Sequence, residues 1–581
     1  MTATQTSYLP CLKRVGGSWQ LQVDGKPRLI LGGELQNSSM SSARYMKTVW
    51  RDLKGMGINT VLGPVTWEDI EPEEGCFKFS ELDTIIQDAQ SDGLRLILLW
   101  FGSFKNGSSS YVPPWVKTNI QRFPRMQLRQ RDGMLHHENV ISILHDECLE
   151  ADRRAFTKLM DHIKETDVSR TVIAMQVQNE VGLLGGSRDV GPVAEKVFQA
   201  GVPTELVKFL EDNWDNLPQE FTNSFPTFAA ARVDTQRKGL VKSWEQHFGK
   251  SSYTDELFMA YHYACYVEKI AAAGKQAYNI PLFTNAWLPM PGTKDASGNI
   301  ASGGAVPGEY PSGGPTPNLL HVWQWFTPSL DFISPDIYAG DYSQICDRYA
   351  GNGQPFFIPE QRRDEYGARR IWEAIGSHGA LGAAPFGVDT LRTEDCSFRS
   401  HYELLSSISP LLLKAREESA FICGFFFDEI PLNSHDDKAH IIKLATSYEL
   451  SISRSFVFGQ PGPGYGLIIE LDTDRFLLVG KGFKVEFKAR SDTSVVSGIL
   501  RFDEKEVVDQ TGTLRTARHL NGDESRSGMW ANMPCDESHI GESIVPIAIP
   551  ARTGIAEVQV YAVEQGIPQV VTNGFAKESV A

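Results

Sequence analysis

The chain has 581 residues, more than a single hydrophobic core normally holds, so two or more domains are expected. Hydrophobic residues make up 41% and charged residues 22% of the sequence, as in an ordinary globular protein. The net charge of −16 argues against a nucleic-acid partner, because binding phosphates requires clustered lysine and arginine. The charge is compatible with a neutral ligand such as a sugar.

The eight cysteines are scattered and contain no C-x-x-C pair, which argues against a zinc finger or a disulfide scaffold. The N-terminus lacks the apolar segment of a signal peptide, and no run of eighteen apolar residues could cross a membrane. We therefore expect a cytoplasmic protein with no membrane partner, although a large secreted enzyme could have the same cysteine pattern. A homo-oligomer remains open.

Eight apolar runs are typical of parallel strands, because both faces of such a strand are buried. We expect them at residues 28–33, 58–62, 94–101, 171–180, 281–287, 331–338, 355–360 and 383–388. Helical patterns are expected near residues 43–55, 80–92, 149–164, 203–214, 252–275, 364–377 and 397–418. Regular alternation predicts parallel pairing, and eight units favour a closed (β/α)8 TIM barrel over an open sheet.

The pattern changes after residue 418, where short runs such as YGLIIEL, RFLLVG and KVEFKA alternate with Gly, Asp, Asn and Pro. Helical periodicity is nearly absent there. The sequence therefore predicts a barrel domain at 1–418 followed by an all-β sandwich or jelly-roll domain at 419–581.

Acidic side chains stand at the ends of four predicted barrel strands. Because the C-terminal strand ends of a TIM barrel form its active-site face, these side chains are expected to meet. Two opposed carboxylates suit the cleavage of a glycosidic bond, and aromatic rings suit the apolar faces of sugars. The residues at or near these ends are Glu34, Trp67, Trp100, Asn179, Glu180, Trp287, Asp336, Tyr338 and Glu360.

Seven segments occur in an order that closely resembles glycoside hydrolase family 35, in the clan of retaining (β/α)8 glycosidases. They read LILGGELQNSS, LGPVTWEDIEPEEGCFKF, LLWFGSFKNGSSSYVPPWVK, QVQNEVG, DFISPDIY, FFIPE and APFGVD. The resemblance covers residues 18–390 and is closest to a β-galactosidase-like branch with a C-terminal β domain. It implies a retaining enzyme that needs no cofactor and no metal.

The resemblance also implies individual roles. Glu180 would be the acid/base, Glu360 the nucleophile, Asn179 the partner of the sugar 2-hydroxyl, and Tyr338 the neighbour of the nucleophile. Further candidates for the sugar pocket are Glu34, Trp67, Asn106 and Trp287. One departure leaves the exact sugar open: an Ala-Glu pair found in better-known members is replaced by the segment 102–106, GSFKN.

We therefore expect a retaining exo-β-galactosidase that acts on an oligosaccharide, with carboxyl oxygens about 5–5.5 Å apart. A β-glucosidase, β-fucosidase or arabinosidase remains an alternative, as does a carbohydrate-binding protein without activity. Asp428 and Glu429 also follow an apolar run and could rival Glu360, but they come after the eighth unit and are expected in the β domain. His136 and His137 lack metal-ligand spacing and are expected at the surface or in packing.

Overall fold

A computed structural model describes residues 8–130, 132–233, 243–291, 303–430, 438–444, 448–455, 462–490, 494–535 and 551–564. The chain divides into two compact units, residues 1–406 and 407–581. The division falls inside a helix, Phe398–Glu417, whereas the sequence places the domain boundary at the end of that helix. Within the described ranges, no helix has the length and apolar character needed to span a bilayer.

The first unit contains thirteen strands within its described part. The first three form a small antiparallel sheet, eight others form a barrel, and two form a hairpin. In chain order they are β1 (Cys11–Val15), β2 (Ser18–Val23), β3 (Lys26–Arg28), β4 (Ile30–Glu34), β5 (Thr60–Thr66), β6 (Arg95–Lys105), β7 (Arg125–Arg129), β8 (Leu135–Ile141), β9 (Val172–Asn179), β10 (Leu282–Trp287), β11 (Phe332–Ile337), β12 (Ile358–Gln361) and β13 (Gly382–Pro385).

The barrel is closed and parallel, as predicted. Around the ring the order is β4, β5, β6, β9, β10, β11, β12 and β13, and β13 pairs with β4. Every one of the eight predicted strands is present. The hairpin of β7 and β8, which pair antiparallel, was not predicted; it lies between β6 and the helix that leads to β9.

Sixteen α-helices are described. They are α1 (Ala43–Met46), α2 (Trp50–Gly55), α3 (Trp67–Ile70), α4 (Ser80–Ser91), α5 (Pro114–Lys117), α6 (Asp146–Thr166), α7 (Pro192–Ala200), α8 (Thr204–Asn213), α9 (Gln219–Asn223), α10 (Pro226–Val233), α11 (Trp244–Phe248), α12 (Ser252–Ala277), α13 (Leu320–Phe326), α14 (Tyr342–Ala350), α15 (Glu365–Gly376) and α16 (Phe398–Glu417). The single helix predicted at 43–55 is divided, because Thr48 donates both its amide and its hydroxyl to the Tyr45 carbonyl and interrupts the regular pattern.

The interior of the barrel is apolar toward the N-terminal ends of its strands. Phe283 and Phe332 stack there with ring centroids 5.0 Å apart, and Phe357 meets Phe283 edge to face. Leu21 and Val23 of β2 belong to the same buried cluster and close that end. Polar side chains inside the barrel are therefore gathered toward the C-terminal strand ends.

After the end of α16, the described part of the second unit is an all-β sandwich, as predicted. One sheet has the order β14, β17, β18, β23, β20, β21, and the other the order β15, β16, β19, β22, and both sheets contribute to one buried apolar cluster. The strands are β14 (Ile422–Phe427), β15 (His440–Lys443), β16 (Tyr448–Arg454), β17 (Gly464–Asp472), β18 (Arg475–Lys481), β19 (Phe483–Ala489), β20 (Ser494–Val507), β21 (Leu514–His519), β22 (Trp530–Met533) and β23 (Ile555–Glu564).

Asp428 and Glu429 follow β14, which pairs antiparallel with β17 of the sandwich. They therefore belong to the second unit, as expected, and are not at the end of a barrel strand. His136 and His137 lie on the exposed part of β8.

Candidate active site at the C-terminal end of the barrel

Four carboxylates meet inside the C-terminal end of the barrel. Glu34 ends β4, Glu180 follows β9, Asp336 lies in β11 and Glu360 in β12, and all four are buried. Asp336 is directly opposite Glu360 in the pairing of β11 with β12. One oxygen each from Glu180, Asp336 and Glu360 lies within 4.8 Å of the other two.

The end of β9 has an unusual backbone. Gln178 and Glu180 have φ angles of 63° and 46°, in the left-handed region that costs a residue with a side chain roughly 1–2 kcal/mol. Glu180 is held there from both sides: its amide donates to Asn285 Oδ1 at 2.9 Å, and its carbonyl accepts the Gly107 amide at 3.1 Å. Backbone strain that is fixed in this way is typical of functional sites.

A buried aspartate on α6 secures the same turn from outside the barrel. Asp152 accepts hydrogen bonds from Trp100 Nε1 at 2.8 Å, the Ser103 amide at 2.9 Å and Gln178 Nε2 at 2.7 Å. Gln178 Oε1 in turn accepts the Phe104 amide at 2.9 Å. Asp152 thus links the end of β6 to the end of β9, and sequence reasoning did not identify it.

Lys105 is the second residue that sequence reasoning missed. β6 continues past its predicted end at residue 101, and a bulge after Trp100 brings Lys105 opposite Asn179. Such bulges commonly redirect a side chain beside a site. Lys105 is almost completely buried, and its ammonium nitrogen lies 4.9 Å from the centre of the Phe101 ring. Its charge interacts with the carboxyl groups of Glu360, Glu180, Glu34 and Asp336.

Burial and mutual repulsion raise the pKa values of Glu34, Glu180 and Asp336. Burial is the main cause for Glu180, whose pKa rises from 4.5 to about 7, with Glu360 raising it further and Lys105 lowering it. Burial likewise raises the pKa values of Glu34 and Asp336 well above their ordinary range, and the Glu360 carboxylate adds to both shifts. For Lys105, burial lowers the pKa, but the four acids outweigh it and the pKa is raised.

Glu360 has a different environment from Glu180. The Tyr338 hydroxyl donates a hydrogen bond to Glu360 Oε1, and the pKa of this tyrosine is raised by burial and by the adjacent carboxylate. Glu360 Oε2 is buried and has no hydrogen-bond partner in the structure. One oxygen is therefore fixed while the other is left to meet a ligand.

Unsatisfied polar atoms concentrate at this end of the barrel. Asn179 is 0% exposed, yet neither its Oδ1 nor its Nδ2 has a hydrogen-bond partner. Glu34 Oε2 and Asp336 Oδ1 are also buried without partners. Because unpaired buried polar groups are costly and rare, the cluster indicates a site that is completed by water or by a polar ligand.

The trio of Glu180, Asp336 and Glu360 is also the one grouping among the described residues compact enough to accept a metal ion. Three buried carboxyl groups this close can equally form hydrogen bonds with one another by sharing protons, as carboxylate pairs do.

The structure brings together five of the eight candidates from the sequence: Glu34, Asn179, Glu180, Tyr338 and Glu360. Trp287 ends β10, is half-buried, and lies opposite Asp336 in the pairing of β10 with β11. Its position is compatible with a wall of the pocket.

Two candidates are placed differently from their prediction. Trp67 is 0% exposed; its indole donates to Glu71 Oε2 at 2.8 Å and packs edge to face on Trp115, so it offers no free ring face. An aromatic residue beside a strand end can pack against its neighbours as well as face the mouth. Asn106 is exposed in a left-handed turn with φ of 52°, because the β6 bulge directs Lys105 inward in its place.

Comparison with known proteins finds similarity to β-galactosidases. A family described as "Beta-galactosidase", glycoside hydrolase family 42, matches residues 39–229, a range that includes Asn179 and Glu180. A domain of unknown function, DUF5597, matches residues 398–532. A β-galactosidase of Xanthomonas manihotis is 33% identical over 78 residues, which are 13% of this chain and 13% of that protein.

Solved structures with a similar fold include two β-galactosidases. That of Bacillus circulans sp. alkalophilus has a TM-score of 0.42 and 14% identity, over 66% of this chain and 57% of the other. That of Marinomonas ef1 has a TM-score of 0.42 and 15% identity, over 67% and 61%. The chain thus spans a small part of the curated relative and less than two thirds of these structures.

The family model and the curated relative are both described as β-galactosidases. The family matched is family 42, whereas the sequence motifs were interpreted as resembling family 35. The family 35 assignment is therefore not supported.

Proposed function

We propose that the barrel unit is a retaining exo-glycoside hydrolase that releases terminal, non-reducing β-D-galactose from oligosaccharides. The observation that carries this proposal is the close opposition of Glu180 and Glu360 in unlike environments. Glu180 has a pKa raised to about 7, which suits a proton donor near neutral pH. Glu360 is oriented by Tyr338 and keeps one oxygen free, which suits a nucleophile.

Double displacement assigns each group a task. In the first step, Glu360 Oε2 bonds to the anomeric carbon while the Glu180 proton passes to the glycosidic oxygen, and the rest of the oligosaccharide leaves as an alcohol. In the second step, Glu180 takes a proton from water. The resulting hydroxyl bonds to the anomeric carbon, and the bond to Glu360 breaks.

The spacing of the acids favours retention over inversion. Inverting enzymes separate their carboxyl groups by about 6.5–9.5 Å to admit a water molecule, and retaining enzymes by about 5–5.5 Å. Oxygens of Glu180 and Glu360 within 4.8 Å of each other correspond to the shorter class. The unpaired amide of Asn179 is available to the sugar 2-hydroxyl, a contact that strengthens in the transition state.

The identity of the sugar is the least supported part of the proposal. It rests on the β-galactosidase description of the family matched over residues 39–229. Lys105 occupies the strand end where better-known members of the family that the sequence resembles have an Ala-Glu pair. Because that pair contacts the galactose in those members, a β-glucoside, β-fucoside or arabinoside is the second candidate substrate. Initial rates on a panel of aryl glycosides, compared by kcat/KM, separate these possibilities.

The decisive variant is Glu360→Ala. We expect it to lose hydrolysis of nitrophenyl β-galactoside. Added azide should restore part of the nitrophenol release, because azide can attack the anomeric carbon in place of the carboxylate and leave an α-galactosyl azide as the product. Glu403→Gln, an exposed helix acid paired with Arg399, is the matched control and should retain full activity. Proton NMR of the wild-type reaction should show the β anomer of the free sugar first. Full activity of the Glu360→Ala protein would refute the assignment, and the α anomer appearing first would refute retention.

Calorimetry addresses the third possibility, a carbohydrate-binding protein without activity. Galactose binding accompanied by no hydrolysis of any glycoside in the panel would favour it over the proposed enzyme.

A further inference from the structure

Asp336 has no task in the double displacement, yet it lies between the two proposed catalytic acids. It is 2% exposed, and one of its carboxyl oxygens lies within 4.8 Å of an oxygen of Glu180 and of an oxygen of Glu360. A hydrogen bond between two carboxyl groups requires a proton on one of them. The neighbouring amide indicates which oxygen of Asp336 is free to carry that proton.

Asn285 fixes the orientation of the pair. Its Oδ1 accepts the Glu180 amide at 2.9 Å, so its Nδ2 must be the atom that faces β11, and this nitrogen donates to Asp336 Oδ2 at 2.7 Å. Oδ2 is therefore an acceptor. Asp336 Oδ1 is buried and accepts no hydrogen bond from the protein, as expected for an oxygen that carries a proton.

We propose that Asp336 is a positioning residue that stays protonated at working pH and donates a hydrogen bond to Glu180. This inference rests on the proposed function for its catalytic consequence. The donated proton occupies one oxygen of Glu180 as acceptor, so the Glu180 proton must reside on the other oxygen, where it can reach the glycosidic oxygen. After Glu180 has given up its proton, the same bond stabilises the carboxylate that must next act as a base.

The charges around Asp336 agree with a neutral acid. The groups facing it are Glu34 on β4, Lys105 on β6, Glu180 after β9, Tyr338 after β11, Tyr349 on α14 and Glu360 on β12. Lys105 is the only cation among them, and it makes no ion pair within 4.0 Å of Asp336 among the described contacts. Burial first, and then the three carboxylates, raise the pKa of Asp336 well above its ordinary value.

Replacement by asparagine tests the proposal sharply. An amide mimics a protonated carboxyl, because its oxygen can accept from Asn285 and its nitrogen can donate to Glu180. For Asp336→Asn we expect kcat/KM within about threefold of wild type and a basic limb of the pH profile within about 0.3 pH units, since no charge is lost. Asp336→Ala, which removes the donor, should lower kcat on the order of 10- to 100-fold and move the basic limb upward.

The protonated and the ionised form of Asp336 predict different pH profiles for Asp336→Asn. If Asp336 were ionised, Asp336→Asn would remove a negative charge beside Glu180 and lower the pKa of that acid, so the basic limb would move down by about one unit or more. That shift, or wild-type kcat in the Asp336→Ala protein, would overturn the proposal. Asp331→Asn is the matched control: it precedes the same strand, at the opposite end of the barrel where Asp331 pairs with Lys275, and should not change the shape of the profile.

A second measurement does not depend on turnover. The infrared spectrum of the folded wild type, minus that of Asp336→Asn, should show the carbonyl band of one protonated carboxyl group at about pH 8. A carboxylate band in its place would overturn the proposal. If the wild type hydrolyses no glycoside, the proposed function fails, and this spectrum still decides the protonation of Asp336.

Discussion

Replacing Glu180 by glutamine should make the fold more stable at alkaline pH while abolishing the proposed general-acid step. A carboxyl group buried beside other acids resists ionisation in the folded state, but it ionises freely once the chain unfolds. Glutamine has nearly the same shape, stays neutral at every pH, and can still accept a hydrogen bond from Asp336. The substitution therefore removes the cost of the charge with little change in packing.

The magnitude and sign follow from the raised pKa of Glu180. Below about pH 4 both the folded and the unfolded state hold the proton, so Glu180 does not alter the free energy of unfolding. Between 4.5 and about 7 the unfolded state loses its proton first, and stability falls as pH rises. Above about pH 7 the free energy of unfolding no longer changes through Glu180. At about 1.4 kcal/mol per pKa unit, the rise from 4.5 to about 7 corresponds to about 3 kcal/mol.

Denaturant unfolding of both proteins at several pH values measures this difference. Eleven of the twelve tryptophans precede residue 407, so intrinsic fluorescence reports mainly on the barrel unit. We expect equal stability of wild type and Glu180→Gln near pH 4 and a more stable variant near pH 9, while Glu403→Gln should show no such divergence. A difference between Glu180→Gln and wild type that is the same at all pH values would refute the reasoning.

Two further predictions concern the neighbours of Glu180. Lys105→Met should raise the pKa of Glu180, because Lys105 lowers it, and the basic limb of the kcat/KM profile should therefore move up by about one pH unit. Lys105→Arg keeps the positive charge and should keep the basic limb at its wild-type position. An unchanged basic limb in the Lys105→Met protein would contradict the charge effect. Asn179→Ala should lower kcat on the order of 10²–10³-fold yet change the free energy of unfolding by less than about 1 kcal/mol, since the amide has no partner to lose. Denaturant unfolding measures the stability of Asn179→Ala and steady-state kinetics measure its kcat. A large loss of stability with an unchanged kcat would contradict the prediction.

The barrel and its two proposed catalytic acids were predictable because their signals are local. A parallel strand buried on both faces is a continuous apolar run, and Glu180 and Glu360 stand at the ends of two such runs. Strand order then follows from the closed alternation of strands and helices, and the C-terminal end is the shared edge where the acids meet.

What the sequence could not reveal depends on contacts between distant segments. Lys105 reaches the site only because β6 bulges after Trp100, and GSFKN by itself looks like the start of a loop. Asp152 is one of several acids on α6, and only its bonds to Trp100 and Gln178 separate it from the others. Trp67 illustrates the reverse case, since nothing in the sequence distinguishes a ring that faces the mouth from one that is fully buried against Trp115.

The two ends of the barrel interior have opposite energetic characters. At the N-terminal end, stacked rings such as Phe283 and Phe332 bury apolar surface and stabilise the fold. At the C-terminal end, Glu34, Asn179 and Glu360 keep buried polar atoms without partners, which costs stability. Such atoms persist only where the surrounding structure holds them, and here Asn285 and the Asp152 network supply that restraint. A ligand whose hydroxyls satisfy these atoms finds their orientation already fixed, so binding does not have to order them. The same buried environment that makes ionised Glu180 unfavourable thus suits the proton donor that we propose.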